Sequence, residues 1–146
     1  MELTLHNQAL EVPLVHQALD RFAVDHKLDV RRLARLHVAL EEHLTNIISY
    51  GYNDQRVGVI RVRFALGSSE LRVEIEDDGR PFNPVEAPEA DTSLPLEQKP
   101  VGGLGIHLIR KSVDQVSYTR SGERNLLVLV TRLGNANEAG SERNKR

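Results

Sequence analysis

Apolar and polar positions recur along most of the chain, and the period of each stretch names its element. In ELTLHN, Leu3 and Leu5 alternate with polar neighbours, which predicts a short strand. A helix follows from about Val12. Pro13 is tolerated in its first turn, and Val15, Ala18, Leu19 and Phe22 share one face. A longer helix is predicted from about Val30 to Tyr50. Asp29 suits its N-cap, Leu33, Leu36, Leu40, Leu44 and Ile47 form its stripe, and Gly51 and Asn53 end it. Strict alternation then returns in VIRVRFAL and LRVEIEDD around the turn GSSE, a hairpin with one buried face.

From Gly79 to Gly103 the patterning stops, and five of the chain's six prolines fall there. A loop of this length inside a small domain is usually a functional lid or disordered. The stretch VGGLGIHLIRKSVDQVSY follows. Gly102, Gly103 and Gly105 stand directly before an apolar helical pattern of Ile106, Ile109, Val113 and Val116. Two further strands, QVSYTR and NLLVLVTR, are joined by a turn at Ser121-Gly122. The order β, α, α, β, β, lid, α, β, β predicts an α+β fold, a two-layer α/β sandwich. Its sheet would be mixed but mostly antiparallel, with the helices on one face. Residues 1–133 read as one domain with a lid at about 79–103, and 134–146 as a polar, frayed tail.

Composition narrows the function. The 146 residues suffice for one domain with a core. A net charge of −2 and 4% aromatics argue against a nucleic-acid or anionic-membrane surface. No apolar run approaches the roughly 20 residues of a membrane span, and the N-terminus lacks a secretory pattern. With no cysteine, disulfides and thiolate metal sites are excluded. A cytoplasmic location is the expectation.

Three short motifs carry candidate chemistry. Glycines opening a helix let an anion approach unpaired N–H groups at the positive end of the helix dipole. Such a cluster also serves as a hinge, or simply as a flexible turn. In EDDGRPFNP, Asp77-Asp78-Gly79 ends a strand, where a carboxylate can accept from a ligand amine; Asp-Gly is equally an ordinary turn. In EEHLTN, Glu42 and Asn46 are one helical turn apart and share a face, read as lying opposite the leucine stripe. They suit a general base and an oxygen ligand for Mg²⁺, or a solvated helix face.

Taken in this order, the motifs resemble those of the GHKL superfamily of ATPases, which share the Bergerat nucleotide-binding fold. Glu42 with Asn46 resembles the N box, Asp77-Asp78-Gly79 with Pro81-Phe82 the G1 box, and Gly102-Gly103-Leu104-Gly105 the G2 box. The likeness covers about residues 3–133. Within the superfamily, LEEHLTNIISYGY, DDGRPFNP and GGLGIHLIRKSVDQVSY are most similar to the anti-sigma factor serine/threonine kinases of bacterial partner switching.

The resemblance implies ATP and Mg²⁺ as cofactors. It assigns Mg²⁺ to Asn46, general-base catalysis to Glu42 with Glu41 as competitor, and the adenine amine to Asp77 with Asp78 as runner-up. Gly79 would leave room for the base. Gly102, Gly103, Leu104 and Gly105 would bind the phosphates and move with the lid. The implied reaction is phosphorylation of a STAS-domain anti-sigma antagonist, with a sigma factor or other effector as second partner. A homodimer is implied, with no nucleic acid and no membrane. A nucleotide-gated sequestering module without kinase activity is the alternative. Pro81 stands where many members carry a second glycine, so the lid differs in its first residues. Lys99 is the lid's one cation after Arg80. His16, His26, His37, His43 and His107 are read as surface or packing residues, since no phospho-accepting helical hairpin fits before the second helix.

Overall fold

The structure is a computed structural model describing residues 1–85 and 103–134, with 103–106 described by backbone only. The chain runs β1 (Glu2–His6), α1 (Val12–Asp25), α2 (Ala34–Tyr50), β2 (Val59–Leu66), β3 (Glu70–Asp77), α3 (Gly103–Ser112), β4 (Gln115–Ser121) and β5 (Arg124–Arg132). The five strands form one sheet in the order β1-β2-β3-β5-β4. Every pairing is antiparallel, so the expected mixed sheet is corrected to an antiparallel one among the described residues. Short 3-10 turns precede α1 and α2 (Ala9–Glu11 and Val30–Leu33). Asp29 caps the second as expected, its carboxylate accepting from the Arg31 N–H at 3.0 Å.

The alternation in the strands sorts the two faces of the sheet. Leu5, Ile60, Val62, Phe64, Leu71, Val73, Ile75, Leu127 and Leu129 are buried under the helices. Val15, Leu19 and Phe22 of α1, and Leu36, Leu40, Leu44 and Ile47 of α2, pack onto them. Each such side chain, fully buried, stabilises the fold by about 1.5–3 kcal/mol. The other face carries Glu2, Arg61, Arg63, Glu74, Glu76 and Arg124 in ion pairs of 2.8–3.3 Å. Exposed pairs of this kind contribute at most about 1 kcal/mol each, so their main effect is to keep that face wetted. Among the described residues, helices therefore cover one side only.

Two registers position the site. Asp77, the last residue of β3, lies opposite Asn125 near the start of β5. Across the helices, the Lys111–Asp114 turn lies in one cleft with Arg31, Arg32 and Arg35 before and at the start of α2. Helix α3 thus runs antiparallel to α2. At 1.5 Å per residue, its length carries the N-terminus at Gly103 along α2 from Arg35 toward Leu44. Helix α3 ends at Ser112, so the apolar positions Val113 and Val116 reach the core from the turn and from β4 instead.

Candidate active site

The C-terminal half of α2, the end of β3 and the start of β5 surround one cleft. His43, Asn46, Ile47, Tyr50, Gly51, Asp77, Arg80, Phe82 and Asn125 line it. Asn46 and Asp77 are both buried. Asn46 therefore flanks the leucine stripe and faces the sheet end, which corrects the expectation of an open face opposite that stripe. Glu42, one turn earlier, is half-buried. Glu41 points elsewhere: its carboxylate meets His16 Nε2 of α1 at 2.7 Å.

The two adjacent aspartates are held in different ways. Asp78 accepts from the Tyr52 hydroxyl at 2.6 Å, the Val59 N–H at 3.0 Å and the Arg56 guanidinium at 3.0 Å. Burial pushes its pKa up, but these three partners together outweigh burial and hold it below the ordinary value. Asp78 is thereby committed to the turn between Tyr52 and β2. Asp77 instead accepts from the Gly79 N–H and from Asn125 Nδ2, both at 2.9 Å and both through Oδ1. Burial raises its pKa, opposed by these two donors.

Gly79 has no space for a side chain. A Cβ there would stand 2.9 Å from both the Gly51 carbonyl oxygen and Asp77 Oδ1. The neighbouring backbone is also tied to α2, because the Arg80 N–H donates to the Gly51 carbonyl at 2.8 Å. The strand end and the helix end are thus fixed at contact distance, with Asp77 between them.

Asn125 is the residue that the motifs did not indicate. Its amide group donates to Asp77 Oδ1 at 2.9 Å and to the Arg80 carbonyl at 2.8 Å. Its carbonyl oxygen accepts from the Tyr118 hydroxyl at 2.6 Å and from Arg120 at 3.0 Å. Arg120 also donates to the Gly79 carbonyl at 2.8 Å. One signal was available: Asn125 shares the inward parity of Leu127 and Leu129, where a polar residue needs a buried partner.

His43 takes the packing alternative of the surface or packing role expected of it. It is buried, lines the cleft, and desolvation lowers its pKa to about 4. His43 Nδ1 and Asn46 Nδ2 are buried without a hydrogen-bond partner among the described residues. Such orphans are rare and point to a missing partner. The cleft encloses a cavity of about 20 Å³, so a base-sized ligand must widen it. Of the glycine cluster, Gly103, Leu104 and Gly105 form the first turn of α3. Gly102, Lys99 and most of the lid lie outside the described residues, as does the tail beyond Gly134.

With this geometry in place, the comparisons with known proteins are decisive for the family. A model described as the histidine kinase-like ATPase domain matches residues 6–131. The chain belongs to that family. It is 31% identical over 86 residues to the serine-protein kinase RsbW of Bacillus velezensis, covering 56% of this chain and 53% of that protein. Against the serine-protein kinase RsbW of Bacillus thuringiensis it is 29% identical over 101 residues, covering 66% and 61%. The matches thus take in less than two thirds of either relative.

Among solved structures, the RsbU and RsbW domains of a Mycobacterium tuberculosis protein align with a TM-score of 0.63 at 16% identity, over 91% of this chain and 31% of that one. The histidine kinase domain of the blue-light-activated kinase of Erythrobacter litoralis aligns at 0.52 and 25% identity, over 71% and 46%. The residues that line the cleft fit a nucleotide. They supply a buried carboxylate acceptor, a glycine without room for a Cβ, and two orphaned polar atoms. No helix of the described residues is long and apolar enough to cross a membrane.

Proposed function

We propose that the chain is an ATP-dependent serine/threonine protein kinase that phosphorylates a STAS-domain anti-sigma antagonist. Asp77 carries the reading. It is a buried carboxylate with one oxygen committed to Gly79 and Asn125, which leaves Oδ2 to accept from the exocyclic amine of adenine. Gly79 lets the base lie against the backbone. Asn46, about one turn back along the cleft wall from Tyr50, holds the metal-bearing phosphates, and the first turn of α3, from Gly103 to Gly105, faces them with its N–H groups. Glu42 accepts the proton of the attacking hydroxyl.

Mg²⁺ supplies charge neutralisation at the phosphates, where phosphoryl transfer is mostly positioning and electrostatics. Mg²⁺ typically takes one or two protein oxygens besides phosphates and waters, and Asn46 has one such oxygen to offer in the cleft lining. Phosphorylation adds roughly −1.5 to −2 charge to the antagonist and breaks its contact with the kinase. A sigma factor or similar effector is the second partner, and a homodimer the working assembly. The likeness to the Bacillus serine-protein kinases supports the serine assignment.

Two measurements test this. Calorimetric titration of Mg·ATP should show binding to the wild type that Asp77→Asn loses. Incubation with ATP and a purified STAS-domain antagonist should give acid-stable phosphoserine or phosphothreonine, abolished in Glu42→Gln while the complex persists. Nucleotide binding without any transfer would leave a sequestering module, and acid-labile phosphate on the partner would overturn the hydroxyl assignment.

A further inference from the structure

At the opposite end of α2 from the cleft just described lies a second recess of about 360 Å³. It is lined by Arg31, Arg32 and Arg35, by the Lys111–Asp114 turn, and by Thr131 and Arg132 at the end of β5. Five cations thus face a recess that contains one carboxylate, in a chain whose net charge is −2. That concentration of like charge costs repulsion unless an anion shares the space.

The partners of these groups sharpen the point. Asp114 is occupied, its carboxylate accepting from the Arg132 N–H at 2.7 Å. Arg31 pairs with Asp29 at 3.3 Å on the rim, and Arg32 donates to the Leu133 carbonyl at 2.6 Å. The side chains of Arg35, Lys111 and Arg132 have no carboxylate partner among the described residues. A separate observation points the same way. Thr131 is only 8% exposed, lines the recess, and its hydroxyl has no hydrogen-bond partner among the described residues. A buried hydroxyl of this kind costs free energy until something accepts or donates.

We propose that this recess binds a small anion carrying two or more phosphate groups, at a site separate from the nucleotide cleft. The volume falls in the range of small-ligand sites, about 300–1,000 Å³. Guanidinium forks suit phosphate oxygens, Lys111 adds a point charge, and the Thr131 hydroxyl supplies a neutral donor at the inner end. Two phosphates match the cation excess better than one. A concave floor with cations around it favours a compact ligand over an extended acidic chain. The last turn of helix α3 lines this recess, and no residue is shared between its lining and that of the nucleotide cleft.

The probe is inorganic pyrophosphate, titrated without Mg²⁺ at low ionic strength into the ¹⁵N-labelled full chain. Saturable amide shifts are expected at Lys111, Asp114, Thr131 and Arg132. Arg35→Gln with Lys111→Gln, both on exposed positions, should weaken binding about tenfold or more, as expected for losing two charge-assisted contacts. Added salt should weaken it further, and Asp77→Asn should leave it unchanged. No shift at these amides overturns the proposal, as does equal binding by the double variant. Loss of the shifts in Asp77→Asn would move the anion to the nucleotide cleft. Shifts produced by an acidic peptide but not by pyrophosphate would make the recess a protein-docking surface and sink the small-anion assignment.

Discussion

Asn125 Nδ2 lies 2.9 Å from Asp77 Oδ1, and the same amide reaches the Arg80 carbonyl at 2.8 Å. One side chain on β5 therefore fixes both the carboxylate at the floor of the cleft and the first residues of the loop above it. Removing it strands buried acceptors. Asn125→Ala is expected to lose about 1–3 kcal/mol of stability in urea denaturation, the cost of leaving such groups unpaired. Mg·ATP affinity should fall about tenfold, since Asp77 loses the bond that aims it. Unchanged affinity in a destabilised protein would mean that Asn125 serves the fold alone.

Gly79 sets the spacing between β3 and the end of α2. Adding a methyl group would place a carbon 2.9 Å from two oxygens, one of them backbone. Neither can yield without moving Asp77 or Gly51. Gly79→Ala should therefore cost about 1–3 kcal/mol, as overpacking does, and should weaken Mg·ATP more than it weakens the fold. Calorimetry beside a thermal melt separates the two effects. Full-strength nucleotide binding by this variant would remove Gly79 from the site.

Asp77 and Asp78 should behave oppositely when each is made Asn. Asp78 accepts from Tyr52, Val59 and Arg56, so Asp78→Asn is expected to lose about 1–3 kcal/mol of stability with Mg·ATP binding kept within about threefold, a difference below 1 kcal/mol. Asp77→Asn should lose binding while keeping most of its stability, because an amide oxygen can still accept from Gly79 and Asn125. Reversed results would hand the adenine contact to Asp78.

The strands, the three helices and the capping by Asp29 were legible in the pattern, because each rests on local periodicity or on a short-range hydrogen bond. The apolar period of α3 begins only at Ile106, so the helix start at Gly103, inside the glycine cluster, lay outside that pattern. The alternation of Leu71, Val73 and Ile75 even fixes which way Asp77 must point. What the pattern could not supply was the partner across the sheet. Asn125 lies 48 residues from Asp77, and their pairing depends on β5 entering between β3 and β4, a matter of topology. On a helical wheel Asn46 reads as facing away from the core, because the wheel shows one stripe and not what else packs beside it. The charge of the whole chain, −2, likewise hid a recess lined by five cations.

His43 makes the stability of the fold depend on pH in a definite direction. Desolvation lowers its pKa from 6.5 to about 4. The unfolded chain therefore binds a proton at His43 between about pH 6.5 and 4, where the folded chain does not. Stability from this group is fully present above pH 6.5 and is lost as pH falls toward 4, by at most about 3 kcal/mol. Urea denaturation at pH 7.5, 6 and 5 should show this loss in the wild type. His43→Leu keeps the site apolar and removes the titrating group, so its stability should fall less over the same interval. The carboxylates contribute equally to both proteins, and only the difference between the two curves reports on His43. Parallel curves would mean that the imidazole reaches water, or gains a hydrogen-bond partner, in the folded protein.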